Sequence, residues 1–400
     1  MQPETSPRHV LMVIESDYPS IDGGGAEAQI ETLTSNLPKD IRATVVAPLV
    51  PCGPDAIEDI VHDVPVHRLW YPRLPLIGGF IMLLRLAFFI LTRRRVIDAI
   101  HCHIANNMTA VCAAVGTLLG IPVLVKLTGM TELEGGILSP RRSIGLSFKR
   151  WLIMQASGFQ AISKELEAGL IEKGFDPARI HLVPNAVNTT LFAPNSDQRD
   201  GLKQHLGIEA AFVACFVGRL VPEKALDMLI RAWDQAIPRD ADAALVLVGT
   251  GHLENDLRTL AKNLGRADQV VFAGFVQDKA RIADYWRIAD LGLLTSDFEG
   301  LSNALLEAMA SAVPMIGSRV SGNSDLITPG ETGWLFEPRQ QGQLTECLRQ
   351  AFEMAPSKRL AMGGAARQRA LGTVGVDHIW DRLSKLYAGE KQEAMALCAE

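Results

Sequence analysis

The chain has 400 residues and a formal net charge of −6, from 39 Lys/Arg against 45 Asp/Glu. This acidic balance excludes a general nucleic-acid binder. A content of 48% apolar and 21% charged residues excludes global disorder.

The length suits two domains of ordinary size. Short apolar runs of β type alternate with longer helical stretches. Val10–Glu15, Ala43–Ala47, Val64–Leu69, Ala99–His103, Val123–Leu127 and Gly158–Ile162 are expected to be strands of a first domain. Ala211–Val217, Ala244–Val248, Val270–Ala273, Leu291–Leu294 and Pro314–Ile316 are expected to be strands of a second. Continuous apolar strands separated by helices predict an α/β fold with parallel sheets built from βαβ units. A cluster of Asn, Pro, Thr and Asp at 185–200 marks the boundary, giving domains over 1–190 and 200–375. A last helix is expected at about Val376–Tyr387, within a closing segment 376–400 whose tail Glu390–Glu400 frays. Two Rossmann-like domains would present the C-terminal ends of their strands, with the following loops, to a cleft.

Cysteines at 52, 102, 112, 215, 347 and 398 show no paired metal-type spacing and read as reduced thiols in a cytosolic chain. No signal peptide is visible, since Met1–His9 is polar and Val10–Ile14 is too short for a signal core. Charge is unevenly spread: Pro65–Gln155 holds eleven Lys/Arg against three Asp/Glu. The same region contains the apolar run Ile77–Leu91, interrupted by Arg85 and followed by Arg93-Arg94-Arg95. It is too short and too charged for a spanning helix, which needs about 20 apolar residues. A core helix with a solvated basic end and a helix lying on an anionic membrane surface both fit.

The most informative stretch is Asp297–Ala310, in which Glu299 and Glu307 stand eight positions apart. Gly300 marks a turn, and Ser302 or Asn303 is a good N-cap for the apolar helix that follows. The start of that helix would attract an anion such as a diphosphate. A loop carboxylate in front and a helix carboxylate behind would hold the hydroxyls of what the diphosphate carries. This arrangement suits a nucleotide sugar.

The stretch resembles the Glu-x7-Glu motif of retaining GT-B glycosyltransferases of the family-four type, the glycosyl transferases group 1. Other segments resemble the same family: Asp22-Gly23-Gly24-Gly25-Ala26-Glu27, Val183–Asn188 with Phe192, Gly218–Lys224, Val248–Gly251, Gly274-Phe275-Val276 and Ala289–Ser296. The resemblance runs from about residue 10 to 340, with the motifs in the right order. It implies two Rossmann-like domains with an acceptor-binding first domain, a donor-binding second domain and a last helix crossing back to the first. It implies a sugar donor activated as a nucleoside diphosphate, a glycan or lipid-linked acceptor, and no metal or other cofactor. An envelope or surface-polysaccharide pathway, at the cytoplasmic side and peripheral to the membrane, is the expected setting.

By the resemblance, Arg219 and Lys224 neutralise the departing diphosphate, in place of a divalent metal. Glu299 fixes the transferred sugar and favours oxocarbenium-like charge, and Glu307 binds the ribose hydroxyls. Backbone groups of Gly300, Leu301, Ser302 and Asn303 are expected at the phosphates and sugar. Gly24 and Gly25, with Gly23, are expected at the diphosphate, and Val276 near the base.

One position departs from the family. Many relatives carry a histidine at the end of the strand that here ends Lys126-Leu127-Thr128, and Thr128 occupies its place. That histidine's role is therefore not carried over. His103, Lys126 and Thr128 are candidates for the acceptor or sugar, with His101, Asn106 and Asn107 nearby; an interior, hydrogen-bonded histidine is the alternative. Asp240-Ala241-Asp242 reads as a solvated turn rather than a metal motif. Gly249-Thr250-Gly251 lacks the third glycine and the ribose acid of a dinucleotide site. Two rivals remain: a sugar-nucleotide epimerase, and a non-catalytic nucleotide-sugar-binding partner subunit.

Overall fold

A computed structural model describes residues 7–20, 24–50, 53–54, 56–75, 77–139 and 144–389. Asp22, Gly23, Cys52, Cys398 and the tail expected to fray lie outside the described residues. The chain divides into two compact units. One runs to Ala186 and takes up the chain again from Val376; the other is Val187–Gly375.

Among the described residues the first unit has eight strands: β1 (Arg8–Val13), β2 (Ile41–Pro48), β3 (Glu58–Val61), β4 (Val64–Leu69), β5 (Ala99–His103), β6 (Val123–Leu127), β7 (Gly158–Ala161) and β8 (Ile180–Leu182). Their order in the sheet is β3-β4-β2-β1-β5-β6-β7-β8. Every pairing is parallel except β3 with β4, which are joined by the two-residue turn His62-Asp63. Both turn residues have positive φ, 50° and 61°, the conformation of a tight hairpin. Parallel order reverses between β1 and β5. Loops leaving the carboxyl ends of those two strands therefore flank a crevice of the kind that holds ligands in open α/β sheets.

The last helix, Val376–Tyr387, packs on this unit. Val376, Ile379, Trp380, Leu383 and Tyr387 are all buried and join the core formed by β1, β2 and the helix Gly25–Thr34. Their spacing is that of one helical face. The Trp380 indole donates to the Leu33 carbonyl at 3.2 Å, which satisfies its polar atom in the apolar interior.

The second unit carries β9 (Phe212–Val217), β10 (Ala243–Val248), β11 (Val270–Gly274), β12 (Leu291–Leu294), β13 (Met315–Ser318) and β14 (Gly333–Phe336). All pair in parallel, in the order β11-β10-β9-β12-β13-β14. This is the Rossmann order, with the switch point between β9 and β12. Both faces of the sheet are covered by helices, so the strands are apolar throughout; all six residues of β10 are buried.

Candidate functional site

Two loops meet at the switch point of the second unit. The loop after β9 runs Gly218-Arg219-Leu220-Val221, makes a 3-10 turn at Pro222–Lys224, and enters the helix Leu226–Ala236 through Ala225 at φ 49°. The loop after β12 runs from Thr295 to Ser302 and enters the helix Asn303–Ala310. The loops are tied together by two hydrogen bonds. Thr295 Oγ1 donates to the Lys224 carbonyl at 2.6 Å, and Asp297 N donates to the Glu223 carbonyl at 2.8 Å.

This tie sets Lys224 against Glu299. The ammonium lies 2.9 Å from Oε1 and 2.7 Å from Oε2, so both carboxylate oxygens share one cation. The side chains are only 14% and 15% exposed. An ammonium has three donors, so Lys224 keeps capacity for a further acceptor such as a phosphate oxygen. Arg219 is different: its side chain is 64% exposed, with a 3.4 Å contact to Glu223. Its guanidinium is available to an anion.

The glycines of the neighbouring loop are there for close approach. Gly249, after β10, has φ 133°, and a Cβ built on it would lie 2.0 Å from the Gly218 carbonyl oxygen. The β9 and β10 loops can nest only because no side chain stands between them. On the far side, Gly322 N donates to the Gly300 carbonyl at 2.9 Å, which fixes the turn where Gly300 and the buried Leu301 and Ser302 sit.

Ser302 occupies the N-cap with extended backbone and makes no side-chain cap bond. Leu306 N donates to the Ser302 carbonyl at 3.4 Å and closes the first turn, so the amino end of the helix Asn303–Ala310, with its partial positive charge, lies at the loop end of the sheet. One turn further in, Glu307 is half-buried, and Trp286 Nε1 donates to its Oε2 at 3.4 Å. Burial pushes its carboxyl up to about 7; the Lys279 ammonium and the Trp286 bond oppose the shift only in part. Val276 follows β11 in the loop beyond Gly274 and is half-buried, beside the exposed Phe275.

Two residues of this region escaped the sequence reading. Asp297 forms an ion pair with Arg339, and Arg339 also reaches the Pro222 carbonyl at 3.5 Å. Asp297 stands beside Glu299 in the same motif, which was a usable signal. Arg339 lies 42 positions away in sequence, beyond β14, and carried none. Asp240 and Asp242 stand in an exposed turn before β10, at the opposite end of the strand from these loops.

In the first unit, Gly24 takes the N-cap of the helix Gly25–Thr34 with extended backbone, and its N–H donates to Ser20 Oγ at 3.4 Å. The Glu27 carboxylate folds over Gly24 and accepts a hydrogen bond from Ser16. An anion at this turn requires Glu27 to swing aside, because like charges repel.

The expected acceptor residues need correction. His103 and Lys126 are both buried, so neither offers an atom to a ligand in this structure. They are register partners at the ends of β5 and β6, and their side chains point inward. His103 stacks on His101 with ring centroids 4.2 Å apart, and neither of its ring nitrogens has a partner. His101 is the interior, hydrogen-bonded histidine: Nε2 donates to Gln160 Oε1 at 3.0 Å and Nδ1 accepts from the Tyr387 hydroxyl at 2.7 Å. Burial, aided by Lys126, pushes His101 down to about 3, so it is neutral. Burial likewise pushes Lys126 down to about 7, against the pull of Glu132.

Thr128 is committed to Glu132. Its N–H and its hydroxyl donate to Glu132 Oε1 at 2.6 and 2.7 Å, while Ala105 N donates to Oε2 at 2.8 Å. Glu132 thus binds the loop after β5 to the loop after β6, a role with no sequence signal. Ile104, between them, holds φ 96°, a costly conformation for a β-branched residue. Asn107 contacts Glu15: Nδ2 donates to Oε1 at 3.2 Å and Met108 N to Oε2 at 3.0 Å. Among the described residues, no group of three His, Cys, Asp or Glu is placed to hold a metal ion.

Comparison with known proteins matches residues 198–369 to the family described as Glycosyl transferases group 1, and residues 24–186 to the Glycosyl transferase 4-like domain. Over 226 residues the chain is 30% identical to a GDP-mannose-dependent alpha-(1-6)-phosphatidylinositol monomannoside mannosyltransferase of Mycolicibacterium smegmatis. That alignment covers 55% of this chain and 59% of the relative. Over 261 residues it is 27% identical to a UDP-Gal:alpha-D-GlcNAc-diphosphoundecaprenol alpha-1,3-galactosyltransferase of Escherichia coli, covering 63% of this chain and 65% of the relative. The chain thus spans less than two thirds of these relatives' own length. Among solved structures, Anabaena HepE in complex with UDP superposes with a TM-score of 0.76 at 22% identity, covering 95% of this chain and 100% of that one. A sucrose-phosphate synthase from Thermosynechococcus elongatus gives 0.75 at 21%, covering 96% and 98%.

Proposed function

Because the chain belongs to the glycosyl transferases group 1 family and has its GT-B fold, we propose that it transfers a sugar from a nucleoside diphosphate sugar to an acceptor hydroxyl. The observation that carries this reading is the Lys224–Glu299 pair at the β9/β12 switch point, with the exposed Arg219 on one side and the helix bearing Glu307 on the other. An anion and a polyol are the two chemistries this group can hold together. The diphosphate lies against Arg219, Lys224 and the N-terminus of the helix Asn303–Ala310. The ribose hydroxyls donate to Glu307, and the sugar hydroxyls to Glu299. Within the second unit, Val276 completes the donor contacts in this reading.

Catalysis is charge stabilisation at a preorganised site. The acceptor oxygen bonds to the anomeric carbon as the bond from that carbon to the phosphate oxygen breaks. The acceptor proton passes to the departing phosphate oxygen, on the same face of the sugar, and configuration is retained. Arg219 and Lys224 take up the growing phosphate charge, so no divalent metal is required. Glu299 faces the oxocarbenium-like carbon; its pairing with Lys224 suits it to electrostatic support rather than to attack. The acceptor belongs to the first unit and is a glycan or lipid-linked glycan; the relatives named for phosphatidylinositol- and undecaprenol-linked substrates favour this class.

The test is a thermal-shift panel of UDP-, GDP-, ADP- and CMP-sugars, with and without EDTA. A rise in Tm with one nucleotide class, unaffected by EDTA, is expected. No shift with any donor refutes the donor site. Turnover of donor into an isomeric sugar nucleotide without acceptor would instead establish an epimerase.

A further inference from the structure

Three neighbouring helices of the first unit carry no carboxylate of their own. Ile77–Arg93 and Ile144–Ile153 both pack against Asn107–Leu119, and none of the three contains Asp or Glu. Helix Ile77–Arg93 is apolar on two opposite sides. Gly78, Met82, Leu86, Phe89 and Ile90 are buried against the unit. Ile77, Phe80, Leu84, Phe88 and Leu91 are exposed, Phe88 by 69%. At 3.6 residues per turn these five fall within an arc of about 80°, opposite the buried set. A helix that is apolar all round but covered on one side only is not explained by the unit's own core.

The second helix repeats the arrangement. Ile144, Phe148 and Trp151 are exposed at helical spacing, Ile144 by 89%. Leu118, at the end of the helix between them, is also exposed. Exposed cations border the apolar stripes. Arg94 and Arg95 follow the first helix, and Arg85 within it stands over the Trp70 ring at 4.9 Å. No described helix is long and apolar enough to cross a bilayer.

We infer that this face docks on an anionic lipid surface, with both helices lying in the plane of the interface. Apolar stripes enter the headgroup boundary, Trp151 sits at the level its amphipathic ring prefers, and the arginines meet lipid phosphates. The absence of carboxylates selects this occupant. A protein partner or a second copy of this acidic chain offers no comparable density of negative charge. The inference goes beyond the transferase reading and does not depend on it.

The experiment is co-sedimentation of the full chain with vesicles of phosphatidylcholine alone and of phosphatidylcholine with phosphatidylglycerol, at low and high salt. Binding to the anionic vesicles that weakens with salt is expected. F80E/F88E and F148E/W151E, each changing one stripe, should each reduce partitioning at least about tenfold, and R94S/R95S should remove the preference for anionic lipid. These residues are exposed, so Tm and the nucleotide-sugar thermal shift should stay as in the wild type. Failure here is thereby told apart from failure of the donor site. No binding to anionic vesicles, binding unchanged in both stripe variants, or a dimer in sedimentation velocity that the stripe variants dissolve would overturn the inference.

Discussion

Glu307 offers a quantitative test of the ribose subsite. With its carboxyl pushed up to about 7, it is mostly neutral at pH 6 and mostly ionised at pH 8. A ribose diol donates two hydrogen bonds and so selects the carboxylate, which is acceptor-only. Donor affinity should therefore rise about tenfold from pH 6 to pH 8, about 1.4 kcal/mol. The diphosphate diester of a nucleotide sugar does not titrate in this range, so the slope reports the protein. Titration calorimetry at pH 6, 7 and 8, in buffers of different ionisation enthalpy, measures both affinity and proton release. Glu307→Gln should bind more weakly and with no such slope. The free protein carries the opposite sign. A folded pKa raised from 4.5 to about 7 contributes stability that is fully present below about 4.5 and is lost as pH rises through 7. Its Tm should therefore fall over that window, and Glu307→Gln should remove that part of the fall. Wild-type affinity flat from pH 6 to pH 8, or a slope that persists in Glu307→Gln, would sink the assignment.

Glu299→Gln breaks the ion pair with Lys224 while keeping shape; it should abolish transfer, leave donor binding largely intact and cost about 1–3 kcal/mol of stability, read by single-turnover assay beside urea unfolding. Arg219→Ala should weaken donor binding by about 1.5–3 kcal/mol with Tm unchanged, because its side chain is mostly in solvent; Lys224→Ala should lose similar affinity and also destabilise, because it strands Glu299. Both are measured by the same calorimetry, and wild-type affinity in either would remove that cation from the site. Gly249→Ala puts a methyl group against the Gly218 carbonyl at a φ of 133° and should cost the second unit at least about 2 kcal/mol; a denaturation midpoint equal to wild type would show that the β9 and β10 loops are not nested as described.

The α/β architecture was legible from local pattern. Strands Val64–Leu69, Ala99–His103, Val123–Leu127 and Leu291–Leu294, and the helix Val376–Tyr387, coincide with the expected segments residue for residue. Each is a mainly apolar run with at most two polar residues, or a single apolar helical stripe, which is what a sheet covered on both faces, or a helix docked on one side, demands. Three strands escaped. Glu58–Val61 is an acidic edge strand, exposed or half-exposed along its length; Ile180–Leu182 and Gly333–Phe336 are three and four residues long. Strands at an edge or this short need little apolar sequence, so pattern alone cannot reveal them.

The candidate site divides in the same way. The Glu299–Glu307 spacing and the Arg219–Lys224 segment lie within single loops and helices, where chemistry and local conformation are set by adjacent residues, and both were readable in the chain. That Lys224 meets Glu299, 75 positions away, depends on β9 and β12 being neighbours in the sheet, and strand order is a property of the packed fold. The same holds for His103 and Lys126. Their residue types suggest a ligand site, but register across β5 and β6 turns both inward. Burial is likewise what raises the Glu307 carboxyl. Sequence determined which chemistries are present and on which elements they ride; tertiary structure decided which of them meet, and which remain accessible and charged, because proximity and desolvation arise only when distant segments pack.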